Sequence, residues 1–306
     1  MTLEPVVPRG WDEADIALLK ERRFLVTGGT SGLGLATAKA LTSLGADVTI
    51  TARDPRKADA VIAAGVARDV LVMDLADLAS VRVAASRVSE PYEVVILNAG
   101  IMWTPYALTV DGFESQVATN HLGHFAFAGL IKDRITQRIV TVSSLYHRFG
   151  GFGDGSIDEI RRRCEGHAPY DARAAYGDSK LANLLFMEEI ERRRSRYGWD
   201  FIAVAAHPGW SNTHLFDAAT STSAVVGKVA SASAGLFAQS AARGALPTLC
   251  AATYPGLRGG EYFGPRGPGE LRGTPKLVQP VARAKDPRLA ANLWQVSEEL
   301  TGVSWE

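Results

Sequence analysis

The stretch Phe24-Leu25-Val26-Thr27-Gly28-Gly29-Thr30-Ser31-Gly32-Leu33-Gly34-Leu35-Ala36-Thr37-Ala38-Lys39-Ala40-Leu41 joins a short apolar run to a longer amphipathic one through a glycine-dense turn. The first run has the length and aliphatic content of a buried strand, the second the spacing of a helix. Gly28, Gly32 and Gly34 let the backbone approach a ligand closely, and the unpaired N–H groups of a helix N-terminus favour an anion such as a pyrophosphate. The turn predicts a dinucleotide phosphate site, with Leu33 inside it and the Thr30 and Ser31 hydroxyls adding contacts to phosphate or ribose.

Outward from this turn the same alternation repeats. Strands are predicted at 24–27, 47–51, 70–73, 94–98, 138–143 and 201–206, and helical stretches near 32–44, 77–89, 111–133, 174–197 and 287–300. Short strands alternating with helices make βαβ units and a parallel sheet, and ligands of such sheets bind at the carboxyl ends of the strands. The fold class expected is α/β, a doubly wound parallel sheet in a single domain over 1–306. Residues 1–22 form an N-terminal extension with a short helix over Asp12 to Arg23, 211–245 a substrate lid, and 254–275 a turn-rich return to a final strand.

The spacing of the glycines, T-G-x-x-x-G-x-G, resembles that of the short-chain dehydrogenase/reductase family, whose Rossmann-type fold binds a nicotinamide dinucleotide. Strand two ends Thr51-Ala52-Arg53-Asp54. An acid there would hold the ribose 2′-OH of NAD, whereas Ala52 removes that carboxylate and Arg53 can pair with a 2′-phosphate, so NADP(H) is expected over NAD(H). The competing reading leaves Arg53 as a solvated charge and gives the ribose to Asp54. The resemblance further implies adenine recognition by Asp74 and Leu75, and a cofactor floor at Asn98, Ala99 and Gly100. Pro208, Gly209, Ser211 and Thr213 would lie at the nicotinamide carboxamide.

Tyr176 and Lys180 stand four apart on a predicted helix and so share one face. A cation beside a phenol favours the phenolate and brings its pKa toward the working range. The resemblance makes Tyr176 the acid/base, has Lys180 also hold the nicotinamide ribose, and lets Ser144 hydrogen-bond the substrate oxygen, with Ser143 as the competing serine. Asn120 would hold a water in a proton relay, or cap or bend its helix. N-H-L-G-H-F at 120–125 with Y-x-x-S-K-L-A-N at 176–183 resembles the retinol-dehydrogenase-like branch. The long interval between Ser144 and Tyr176 contains Arg161-Arg162-Arg163, read as a solvated helix face.

Composition narrows the partners. With 33 basic and 33 acidic side chains the net charge is +0, so no field draws the chain to nucleic acid or an anionic membrane. No apolar stretch reaches the length of a membrane span, and the start lacks a leader-like apolar region. Two cysteines suit a reducing compartment, and a cytoplasmic, unprocessed protein is expected. His147, His207 and His214 are read as structural or pocket-lining, with no metal site. The partner expected is a small hydrophobic carbonyl or alcohol, met by Ile101, Met102, Trp103 and Leu145 to His147, which makes the activity that of a ketoreductase. The alternatives are a C=C reductase, an epimerase or a non-catalytic NADP(H) sensor. A homodimer is expected to pair through the helices carrying Asn120 and Tyr176.

Overall fold

In a computed structural model, which describes residues 6–210 and 239–306, the strand runs assemble into one eight-stranded sheet of order β3-β2-β1-β4-β5-β6-β7-β8. The strands are β1 Arg23–Val26, β2 Asp47–Ala52, β3 Asp69–Val72, β4 Tyr92–Leu97, β5 Ile135–Val142, β6 Ile202–Ala206, β7 Tyr262–Pro265 and β8 Pro275–Leu277. All neighbours pair parallel except β7 and β8. Successive side chains on a strand face opposite sides, so Phe24 and Val26 enter one core while Leu25 enters the other. With both faces covered, the strands carry the continuous aliphatic runs that a parallel sheet demands.

The helices are α1 Gly32–Ser43, α2 Pro55–Ala63, α3 Leu78–Ser86, α4 Ser115–Val117, α5 Gly123–Leu130, α6 Ile157–Cys164, α7 Ala172–Tyr197, α8 Ala241–Thr253 and α9 Pro287–Thr301. Residues of α1, α2 and α8 pack in the core with Phe24 and Val26. Those of α3, α5, α6, α7 and α9 pack in the core with Leu25. Strand order reverses between β1 and β4, and the crevice at their carboxyl ends is where such a sheet binds ligands.

Three expectations are corrected. The helix expected over Asp12 to Arg23 is a single 3-10 turn, Glu13–Asp15. Reciprocal bonds between Asp12 and Asp15 close it, after which Ile16 and Leu19 turn inward while Leu18 stays 69% exposed. The helix expected over 111–133 is split. The Glu114 carboxylate accepts from the amides of Gln116 at 2.9 Å and Val117 at 2.8 Å, which fixes its start, and a π turn over Ala118–Leu122 interrupts it. The return after 254 contains two strands, β7 and β8, instead of one. The lid expected over 211–245 lies outside the described residues as far as 238, and α8 begins at Ala241.

Part of the face expected to pair two copies is covered by α9. Trp294 of α9 meets Phe125 of α5 at 5.1 Å between ring centroids, Trp305 meets Phe186 of α7 at 5.4 Å, and both tryptophans are buried. This aromatic cluster covers the side chains of α5 and α7 that face α9.

Candidate active site

The glycine turn connects β1 to α1 at the crevice. Gly28 has φ +67°, and a Cβ there would sit 2.9 Å from Cβ of Ala99. A Cβ on Gly34 would strike the Gly28 carbonyl and come within 2.5 Å of Asn98 Nδ2. Gly29, which the sequence reading passed over, is equally constrained because a Cβ would collide with Ile50. Gly34→Ala is expected to lower stability by about 1–3 kcal/mol, since the added methyl meets backbone rather than a yielding side chain. A urea denaturation midpoint equal to that of the native chain would contradict this.

The N-terminus of α1 differs from those of the other long helices that rise from loops. Asp54, Asp77, Ser156, Asp171, Ser240 and Asp286 each accept a first-turn amide, whereas Ser31 makes no such bond. The first-turn donors of α1 are therefore left for an anion, and the close-packed glycines give it room, so the turn fits a pyrophosphate.

At the end of β2, Ala52 is buried and Arg53 is exposed, with no ion pair among the described residues. Asp54 caps α2, accepting the Arg56 amide at 3.0 Å, and that bond holds its carboxyl below the usual range. After β3, Asp74 Oδ1 accepts the Ala76 amide at 3.0 Å. Leu75 is buried, its carbonyl pressed against Gly123. After β4, Thr27 Oγ1 accepts the amides of Asn98 and Ala99 at 2.8 and 2.9 Å, and Asn98 Nδ2 donates to Thr27 O at 2.9 Å. Gly100 follows, and its missing Cβ would lie 3.0 Å from Asn120 Oδ1 and 3.4 Å from Lys180 Nζ.

Asn120 and Lys180 flank Gly100, Tyr176 adjoins Lys180, and Ser144 adjoins Tyr176. The Lys180 ammonium donates to Val142 O at 3.0 Å and lies 5.7 Å from the Tyr176 ring centroid. Ser143 is 2% exposed and its hydroxyl donates into α7, to Lys180 O at 2.8 Å. Ser144, half-buried, accepts the Tyr146 amide at 3.3 Å and stands beside the Tyr176 hydroxyl. Asn120 is fully buried in the π turn and clamps Ile101, accepting its amide at 2.8 Å and donating to its carbonyl at 2.9 Å.

The electrostatics depart from expectation. Tyr176 is only 5% exposed, and burial pushes its phenol up to about 12, with the Ser144 hydroxyl pulling the other way. Burial brings Lys180 down to about 8. Desolvation is the largest influence on the phenol and holds it above its ordinary value.

Pro208 and Gly209 lie beyond β6, where Gly209 takes φ +69° and donates its amide to His207 Nδ1 at 3.2 Å. Nε2 of His207 then carries the proton and meets Glu270 Oε2 at 3.2 Å, which also binds Arg148 at 3.2 Å. Sequence reading missed this ion bridge, because its partners come from three separated loops. It missed Asp178 as well. That carboxylate accepts the Gly151 amide at 2.7 Å and pairs with Arg163 at 3.0 Å, so Arg163 anchors the long insertion and is not a solvated charge. Arg161 pairs with Glu299 and Arg162 with Glu159. Ser211, Thr213 and His214 lie outside the described residues. His147 is buried and bonds Ser144 O at 2.6 Å. Met102 is buried, whereas Trp103, Tyr146 and the 71% exposed Phe149 form an aromatic rim reaching Tyr176, with Tyr146 5.7 Å from its ring. No group of three or more His, Cys, Asp or Glu among the described residues could hold a metal ion, and no helix among them is long and apolar enough to cross a membrane.

The comparisons agree with this architecture. The family model for short chain dehydrogenase matches residues 22–155. Mouse retinol dehydrogenase 12 is 33% identical over 92% of this chain and 87% of its own length. The "Probable oxidoreductase" of Streptomyces lividans is 38% identical over 90% and 96%. A crystal structure of an uncharacterized protein from Mycobacterium paratuberculosis superposes with TM-score 0.80 at 41% identity, covering 97% of this chain and 99% of that one. A short chain dehydrogenase from Burkholderia cenocepacia in complex with NADP gives TM-score 0.57 at 25% identity, over 77% and 92%. An uncapped glycine turn at the switch point, a tyrosine and lysine on one helix face and relatives matched along nearly their whole length place the chain in the short-chain dehydrogenase/reductase family of oxidoreductases, in its retinol-dehydrogenase-like branch.

Proposed function

We propose that this chain is an NADP(H)-dependent oxidoreductase that interconverts a carbonyl and an alcohol on a small hydrophobic substrate. The observation that carries this reading is the meeting of Ser144, Tyr176 and Lys180 at the same sheet edge as the uncapped glycine turn. When bound, the nicotinamide supplies or receives the hydride. Gly28, Thr30, Ser31, Gly32, Leu33 and Gly34 would hold the pyrophosphate, Arg53 the 2′-phosphate, and Asn98 to Gly100 with Pro208 and Gly209 the nicotinamide half. Ser144 orients the substrate oxygen, Tyr176 gives or takes its proton, and Lys180 stabilises the phenolate that remains. Asp74 Oδ2 takes no hydrogen bond among the described residues, which suits contact with adenine.

Substrate class follows from the rim. Trp103, Tyr146 and Phe149 offer ring faces and edges next to the phenol, and their free energy gain comes from excluding water from an apolar group. NADPH consumption with a panel of ketones, aldehydes and quinones tests the reading. Turnover of apolar members supports it, whereas tight NADPH binding with no turnover in either direction would favour an epimerase or a sensor. Because α9 covers part of the face of α5 and α7, the chain is also expected to run as a 32.7 kDa monomer in light scattering. A mass of twice that value would contradict the expectation.

A further inference from the structure

Thr27 Oγ1 lies 2.9 Å from Nε2 of His124, in addition to the two amides of Asn98 and Ala99 at 2.8 and 2.9 Å. Those amides are donors and fill both lone pairs of the hydroxyl, leaving its one hydrogen for His124. Nε2 must then be bare. The imidazole proton sits on Nδ1, 3.1 Å from the carbonyl oxygen of Asn120. We propose that His124 is a positioning residue of the catalytic centre, a neutral Nδ1-protonated imidazole that fixes the Asn120 backbone against the turn carrying Thr27, Asn98 and Ala99.

The bonds beyond Asn120 give this fixation a route to the chemistry. Asn120 Nδ2 donates to Ser179 Oγ at 2.9 Å, and Ser179 in turn donates to the carbonyl of Tyr176 at 2.8 Å. The side-chain amide also holds both polar backbone atoms of Ile101, at the mouth of the site. Each hydrogen in this network has one destination, so the network has one arrangement. Thr27, Asn120, His124 and Ser179 are buried, and a single reversed donor among them would leave an unmet polar group at a cost of about 1–3 kcal/mol. Burial, reinforced by the nearby Lys180 charge, pushes the His124 imidazole down to about 4, which keeps it neutral where the network requires it. His121 of the same sequence run serves a different purpose. Its Nε2 faces Ser297 Oγ at 2.9 Å, and Ser297 already donates to Leu293 O at 2.7 Å, so His121 carries the opposite tautomer and pins α9.

This proposal rests on the oxidoreductase reading, and its test separates the two. Nitrogen-15 NMR of histidine-labelled native protein, with His124 signals identified by their loss in His124→Asn, is expected to show a protonated Nδ1 on His124 and a protonated Nε2 on His121. His124→Phe keeps the ring volume and removes both bonds. It is expected to lower kcat by about 10²-fold with KM and NADPH affinity unchanged, because a misplaced catalytic group costs rate rather than binding. Amide exchange at Ile101 should rise in the same variant. His124→Asn, which restores a donor near the Nδ1 position, is expected to recover most of the rate. A proton on Nε2 of His124, native kcat in His124→Phe, or equal loss in both variants would overturn the proposal. Should His124→Phe fail to fold, the tautomer and the His124→Asn rate decide it. Should the native chain turn over no carbonyl, the functional reading has failed, and the tautomer together with Ile101 exchange in His124→Phe still judges the positioning role.

Discussion

Tyr176→Phe is expected to reduce turnover by roughly 10²–10⁴-fold while NADPH still binds, because on the proposed reading the substitution removes the hydroxyl that exchanges a proton with the substrate oxygen and leaves the ring in place. The size of the loss follows from the environment of the phenol. Burial pushes Tyr176 up to about 12, so at neutral pH it is a proton donor. A donor serves carbonyl reduction directly, whereas alcohol oxidation needs the phenolate. Below the phenol pKa the phenolate fraction rises about tenfold per pH unit, and the oxidation rate should rise with it. Reduction should instead hold level through neutrality and fall as Lys180, brought down to about 8, loses the charge that stabilises the phenolate product. Rates measured in both directions between pH 6 and 10 check this. A reduction rate that climbs with pH, or a Tyr176→Phe variant within a few-fold of native, would remove Tyr176 from the role.

Legibility in the sequence divided along physical lines. The six strands that the aliphatic runs announce recur within a few residues, since a run buried on both faces admits few other conformations. The glycine turn was legible as well, because only a missing side chain allows Gly34 to touch Gly28. α2 lies outside the helices read from the sequence although Asp54 and Pro55 form an ordinary helix start, because the same Asp54 also reads as a ribose ligand. Other misses are tertiary. Nothing local in the sequence pairs Arg148 with Glu270 or Arg163 with Asp178, residues that meet only after the sheet has closed. The phenol pKa belongs with these: helical spacing gives the neighbour, but desolvation depends on how deeply the pair is buried. His124 stands between these cases. Its place four residues after Asn120 is readable, while its tautomer follows only from counting the donors around Thr27.

On the proposed reading cofactor choice turns on two adjacent side chains, and the second large effect is expected there. Arg53 is exposed at the end of β2, so Arg53→Ala breaks no hydrogen bond or ion pair among the described residues. If its guanidinium holds the 2′-phosphate, losing a charged hydrogen bond worth about 1.5–3 kcal/mol weakens NADPH by roughly 10- to 100-fold and leaves NADH unchanged. Adding Ala52→Asp places a carboxylate where that phosphate would lie. Repulsion of about 1–4 kcal/mol should weaken NADPH again, while the same carboxylate can accept from a ribose 2′-OH and strengthen NADH. Ala52 is buried, so thermal melting must accompany this double variant. Asp54 separates the competing reading. Its Oδ1 already accepts the Arg56 amide at the start of α2, so Asp54→Asn should leave NADH affinity untouched and slightly loosen the helix. Dissociation constants for both cofactors across the three variants decide the matter. NADPH affinity unchanged in Arg53→Ala, or NADH affinity lost in Asp54→Asn, would return the ribose to Asp54 and make NAD(H) the cofactor.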